Sequence, residues 1–147
     1  FAEFDAAGNV NVSRFGGRIV GPGGFVNISQ GAGRVIFGGT LTAGESKKAV
    51  RQVEQISFSG PYARERGQEV LYVTERAVFR LGETGPELIE IAPGLDVERD
   101  VIGAMAFRPA VSPALRSMDA ALFADAPMGL AARLKPRPAR ANADRLP

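Results

Sequence analysis

Val70-Leu71-Tyr72-Val73-Thr74-Glu75-Arg76-Ala77-Val78-Phe79-Arg80-Leu81 is the strongest strand signal in the chain. β-Branched and aromatic residues fit a pleated, half-buried surface, so the run predicts the main strand of a sheet. Glu75-Arg76 interrupts it and reads as an exposed or ion-paired turn within the sheet. Gly82-Glu83-Thr84-Gly85-Pro86 then predicts a turn, and residues 87–91 a returning strand. Working outward, Val35-Ile36-Phe37 lies between Gly33 and Gly38-Gly39 and reads as a buried central strand. Residues 48–58 alternate imperfectly and predict an edge strand. Val10-Asn11-Val12 predicts a short strand after the Gly8-Asn9 turn. Asp96 is an N-cap candidate, with Glu98 and Asp100 placed to favour the helix dipole. That helix should run to about Met105 and end before Pro109, with short elements and loop beyond. Strands interleaved with short helices make this an α/β domain.

A chain of 147 residues is one ordinary domain in length. At 45% hydrophobic and 23% charged it can build a core and is not a disordered composition. No apolar run approaches membrane-spanning length, so no membrane span is expected. Phe1 opens the chain without Met and without a leader-like pattern, in what reads as the end of a strand. The expectation is a piece of a longer polypeptide. Cys and His are absent, which excludes disulfides, Cys/His zinc sites and His-dependent catalytic triads within the chain. The lack of Cys fits a cytoplasmic protein. The chain holds 18 basic and 16 acidic residues, but five of the basic and one of the acidic fall in residues 131–147. The body is therefore mildly acidic. No aromatic residues interleave with the basic tail, so no nucleic-acid partner is expected.

Gly21-Pro22-Gly23-Gly24-Phe25-Val26-Asn27-Ile28-Ser29-Gln30 carries the most chemistry. Residues 13–24 hold five glycines and one proline and predict a loop, with a short helix starting at about Phe25. Closely spaced glycines open backbone angles closed to other residues and let another molecule approach the main chain without meeting a Cβ. Free N–H groups at a helix start point at whatever sits in the loop. The arrangement suits an anion or oxyanion; a tight turn is the structural alternative. It is neither a Gly-x-Gly-x-x-Gly fingerprint nor a Walker loop. Among charged residues, Glu90 reads as a solvent-side strand residue. Glu98 and Asp100 face different sides of a helix and read as dipole partners. Lys47 and Lys48 suit phosphate groups, although a loop lysine pair is more often solvated.

Six blocks agree in order and spacing: Gly8-Asn9-Val10-Asn11-Val12-Ser13, the glycine block, Val35-Ile36-Phe37-Gly38-Gly39-Thr40, Val73-Thr74-Glu75-Arg76, residues 90–94, and Asp96-Val97-Glu98-Arg99-Asp100. Together they resemble the C-terminal half of a class I coenzyme A transferase. The resemblance covers residues 1–130. Residues 131–147 fall outside it, as a basic Pro/Ala/Arg-rich tail whose composition predicts a mobile extension. The resemblance implies an open mixed or parallel sheet with flanking helices, one of two similar α/β halves with the active site between them. It implies an enzyme that moves coenzyme A between short-chain acids such as acetate, propionate or 3-oxo acids. Coenzyme A is then a substrate, with no tightly bound cofactor and no metal. A glutamate attacks the acyl-CoA, and a glutamyl-CoA thioester follows. That nucleophile lies upstream of the glycine block in the family and outside this chain. Gly23 and Gly24 are carried over as backbone contacts to the thioester, with Gly21, Asn27 and Lys47 as further CoA-binding candidates. The implied partner is the remaining half, on the same polypeptide or a separate subunit, in a homo- or hetero-oligomer. A non-catalytic structural half and an acetyl-CoA hydrolase relative are the alternatives.

Overall fold

The structure is a computed structural model and describes residues 1–134. In chain order, β1 (Glu3–Asp5) turns into β2 (Val10–Asn11), and a small hairpin follows from β3 (Arg14–Phe15) and β4 (Arg18–Ile19). The glycine block leads into α1 (Phe25–Gly31), then β5 (Arg34–Gly38). β6 (Thr42–Ala43), β7 (Ser46–Lys47) and β8 (Ala49–Val50) are short. α2 (Gly60–Glu65) precedes β9 (Glu69–Val73), β10 (Ala77–Leu81) and β11 (Pro86–Ile91). A π-turn (Val97–Val101) and a 3-10 turn (Ile102–Ala104) lead to β12 (Ala110–Ser117). A 3-10 turn (Ala120–Phe123) and α3 (Leu130–Arg133) end the described chain.

The main sheet has the order β12-β11-β10-β9-β5. β5 runs parallel to β9 and β12 parallel to β11, while β9, β10 and β11 form antiparallel pairs. A second sheet, β2-β1-β8, packs against one face. The core lies between them: Phe37, Val70, Tyr72, Phe79 and Leu88 from the main sheet meet Phe4, Val10, Phe58, Ala63 and Val101. Phe4 is the hub of this core. Its ring stacks on Tyr72 at 5.1 Å and meets Phe79 at 5.7 Å and Phe107 edge-on at 6.0 Å. The other face of the sheet carries Ile36, Leu71 and Val78 among the ion pairs Arg34–Glu69, Arg80–Glu87 and Arg116–Glu90.

Beneath the aromatic hub sits a polar knot. Asp5 is buried, and its carboxylate accepts the N–H groups of Ala7 and Asn9 at 3.0 Å, the Asn9 amide at 3.0 Å and the Val53 N–H at 3.3 Å. Asn9 passes the connection on, its side-chain oxygen accepting the Gly60 N–H at 3.0 Å. The Tyr72 hydroxyl donates to the Gly8 carbonyl at 2.5 Å, and Arg64 donates to the Ala7 carbonyl at 2.9 Å. Burial, with the Asp5 charge beside it, pushes the Tyr72 phenol far above its ordinary pKa, so it stays a donor. Gly60 lies so close to this turn that a Cβ there would sit 2.4 Å from the Ala7 carbonyl oxygen.

Several expectations shift. The run 70–81 is a hairpin, not one strand: Thr74-Glu75-Arg76 is its turn, closed by the Thr74 hydroxyl, which accepts the Ala77 N–H at 2.9 Å. β5 is an edge strand of the described sheet rather than a central one, and Ile36 is 60% exposed. Of residues 48–58 only Ala49–Val50 forms a strand, with an isolated bridge from Phe58 to Val10. Where short elements and loop are expected after Pro109, residues 110–117 form the eight-residue β12; at a sheet edge, Pro113 has no partner to fail. The helix after Asp96 exists, and Asp96 caps it by accepting the Arg99 N–H, but it winds as π and 3-10 turns. β-Branched Val97, Val101 and Ile102 make a weak α-helix former there.

Replacing Asp5 by Ala should strand several buried donors and cost about 3 kcal/mol or more. The exposed Asp125 changed to Ala should stay within about 0.5 kcal/mol. Urea midpoints of the two variants check this, and equal shifts would contradict the knot.

Candidate functional site

The glycine block stands on the surface, with Gly21, Gly23 and Gly24 all exposed. Gly21 has φ +84° and Gly23 φ +52°, so both occupy the left-handed region that favours glycine. Gly24 differs. It is the N-cap of α1 at φ −78°, and a Cβ there would meet only the Ile28 side chain, at an ordinary 3.5 Å. Neither packing nor dihedral demands glycine at that position. The Phe25 N–H closes onto the Pro22 carbonyl at 3.0 Å, and the Ile28 N–H onto the Gly24 carbonyl at 3.1 Å. Among the described residues the N–H groups of Gly23 and Gly24 have no partner.

Where the block points follows from connectivity. α1 runs back along β5, into which it leads, so its first turn lies towards the carboxyl end of β5. The Phe25 ring confirms this by packing 5.8 Å from Phe37, one residue before the strand ends. An apolar groove of about 350 Å³ runs between α1 and β5, lined by Phe25, Ile28, Val35 and Ile36. Ile28 is 74% exposed. The carboxyl ends of parallel strands are where open α/β sheets place ligands. Asn27 lies on α1, exposed and one turn along from Gly23.

The other candidates are occupied. The Lys47 ammonium donates to the carbonyls of Gly103 and Met105, both at 2.9 Å, so it reaches a phosphate only by giving these up. Lys48 lies over the Phe1 ring at 4.8 Å and contacts the Thr40 hydroxyl at 3.4 Å. Glu90 pairs with Arg116 at 2.6 Å across β11 and β12. Arg108 grips Glu98 through two nitrogens at 2.6 and 2.7 Å and holds its carboxyl below the usual range. Arg99, and then the Asp96 N–H, hold Asp100 well below that range. No Asp or Glu occurs anywhere in residues 6–44, so the glycine block has no carboxylate of its own in sequence. Among the described residues no His/Cys/Asp/Glu cluster could hold a metal ion, and no helix is long and apolar enough to cross a membrane. Of the tail, residues 131–134 are described, and Arg133 pairs with Asp119; the expectation for 135–147 lies outside the described residues.

No protein-family model matches the chain. The acetate CoA-transferase YdiF of Escherichia coli (strain K12) is 48% identical over 146 residues, taking up 88% of this chain and 28% of that protein. The caffeate CoA-transferase of Acetobacterium woodii is 45% identical over 145 residues, 84% of this chain and 28% of that relative. A crystal structure of an acyl-CoA transferase from E. coli O157:H7, in a thioester complex with CoA, superposes with a TM-score of 0.83 at 47% identity. It covers 88% of this chain and 28% of that one. The chain thus spans little more than a quarter of the length of the relatives it matches.

Depressed carboxylates such as Glu98 and Asp100 contribute stability that is full above the unfolded pKa near 4 and is lost as pH falls through the folded value. With no His to titrate, urea midpoints should fall mainly below about pH 4. A steep loss between pH 7 and pH 5 would contradict this.

Proposed function

Since the chain belongs to the coenzyme A transferase family, as one segment of its members, we propose that it supplies the glycine-lined wall of a site that moves coenzyme A between carboxylic acids. Residues 1–130 form the transferase unit. The nucleophilic glutamate comes from the remainder of the enzyme. Its carboxylate attacks the acyl-CoA carbonyl, giving an acyl-glutamyl anhydride and CoA thiolate. The thiolate attacks the glutamyl carbonyl, forming glutamyl-CoA and releasing the donor acid. The acceptor carboxylate then attacks the glutamyl thioester, giving a second anhydride and CoA thiolate, and the thiolate attacks its acyl carbonyl to form the new acyl-CoA and free the glutamate carboxylate. A short-chain acid such as acetate is the first candidate substrate.

Each attack develops negative charge on a carbonyl oxygen. The unpartnered N–H groups of Gly23 and Gly24, beside the carboxyl end of β5, carry this reading. One such donor is worth about 3 kcal/mol of barrier. Gly21 shapes the approach, and Asn27 stands one turn behind. Lys47 contributes only if it releases its two carbonyls. Ile19, Val20, Val26, Ile28 and Ile36 are exposed around the same region and fit a surface that another part of the enzyme covers, in an oligomer within the cytoplasm.

Gly24→Ala in the intact enzyme is the cleanest test, because its φ and surroundings accept a Cβ. Turnover should fall on the order of a hundredfold, because the added methyl holds the acyl group off the Gly23 and Gly24 N–H groups, which themselves remain in place, while melting moves little. Turnover near wild type would sink the oxyanion role. The isolated chain should self-associate through its exposed apolar side chains, and sedimentation as a clean folded monomer would count against that surface.

A further inference from the structure

Three strand exits meet at the end of the sheet that carries the glycine block. They are the loop after β5, the β9–β10 turn and the segment after β11. One dipeptide, Glu75-Arg76, joins them. Glu75 Oε2 accepts the Leu41 N–H at 2.9 Å, holding the loop that leaves β5 through Gly38-Gly39-Thr40. Its other oxygen faces the Arg76 guanidinium at 3.2 Å. Arg76 donates to the Asp100 carbonyl at 3.2 Å, and its own carbonyl accepts the Ala92 N–H at 2.8 Å. The exit of β5, the exit of β11 and the π-turn are therefore fastened to a single turn.

Stability is a poor account of this pair. Glu75 and Arg76 are 44% and 34% exposed, where an ion pair contributes little. Leu41, by contrast, is fully buried, and its N–H takes the Glu75 carboxylate as acceptor rather than a ladder partner. The next three residues towards β5, Gly38-Gly39-Thr40, connect Leu41 to Phe37, which packs on Phe25 at the start of the glycine-block helix. A shift of the β5 exit would therefore pass directly to the glycine block.

We infer that Glu75 is a positioning residue for the transfer site. It fixes the β5 exit loop through Leu41, and through Arg76 the β11 exit and the π-turn, in the geometry the glycine block requires. The inference rests on the transferase reading above. Glu75 itself touches no reacting atom; it acts through the loops it holds.

Glu75→Ala and Glu75→Gln in the intact enzyme test this by two measurements. Gln keeps an oxygen for the Leu41 N–H; Ala removes it. In Glu75→Ala, amide exchange at Leu41 should quicken at least tenfold while exchange at Tyr72 and Phe79 stays slow. In the same variant kcat should fall on the order of tenfold or more with KM little changed. Glu75→Gln should restore both readings substantially. Unchanged exchange at Leu41 in Glu75→Ala overturns the clamp, whatever the activity. Faster exchange with kcat per folded enzyme at the wild-type level overturns the positioning role. Wild-type enzyme without CoA transfer would instead sink the transferase reading, and the exchange arm would still decide whether the clamp exists.

Discussion

Asp5 puts a carboxylate into the core and fills it with the N–H groups of Ala7, Asn9 and Val53 and the Asn9 amide. The turn over residues 5–9 is thereby anchored in the core at Asp5, Gly8 and Asn9, while its tip at Ala6 stays exposed. Everything nearby is fitted to it. Tyr72 reaches it from β9, Arg64 and Gly60 from α2, and the backbone at Gly85 approaches so closely that a Cβ would sit 2.1 Å from the Ala6 carbonyl oxygen. Unpaired, those buried polar groups would each cost free energy comparable to a lost hydrogen bond. Satisfied together, they set the distance between the two sheets. The Phe4, Tyr72 and Phe79 rings then fill the gap.

With the sheets fixed at one end by this knot, the opposite concern is what happens where the strands leave. β5 delivers Gly38-Gly39-Thr40 next to the start of α1, because α1 folds back along the strand it precedes. Unused main-chain donors at Gly23 and Gly24 are left there, on a surface ringed by exposed Val and Ile side chains. An unsatisfied, apolar-edged rim accords with the proposed site, completed by another part of the enzyme. The chain's span of 28% of its relatives accords with that form.

The parts legible in the sequence are those governed by local chemistry. The start of α1 after the glycines, the Asp96 cap, the Gly82 to Pro86 turn and the order of the blocks all follow from neighbouring residue types. The parts that were not legible depend on contacts far along the chain. The β9–β10 turn has no glycine and no positive φ, so nothing of the Asn-Gly kind announces it; Thr74 closes it instead. β12 hides behind Pro113, which an edge position tolerates. Ile36 reads as core by composition and is exposed because β5 has no neighbour on its far side in the described sheet. Lys47 reads as a free cation, and only the fold shows two carbonyls against its ammonium. Gly24 reads as indispensable backbone, and only its dihedral shows that a side chain would fit.

In the proposed reaction this segment holds the transition state while the covalent chemistry happens on a glutamate elsewhere in the enzyme. Incubating the intact enzyme with acetyl-CoA, reducing any enzyme-bound thioester with borohydride and mapping the reduced side chain by peptide mass spectrometry tests it directly. One reduced glutamate is expected, outside residues 1–147, with a weaker yield of it in Gly24→Ala. A reduced Asp or Glu within residues 1–147, or transfer activity with no trapped residue at all, would contradict it.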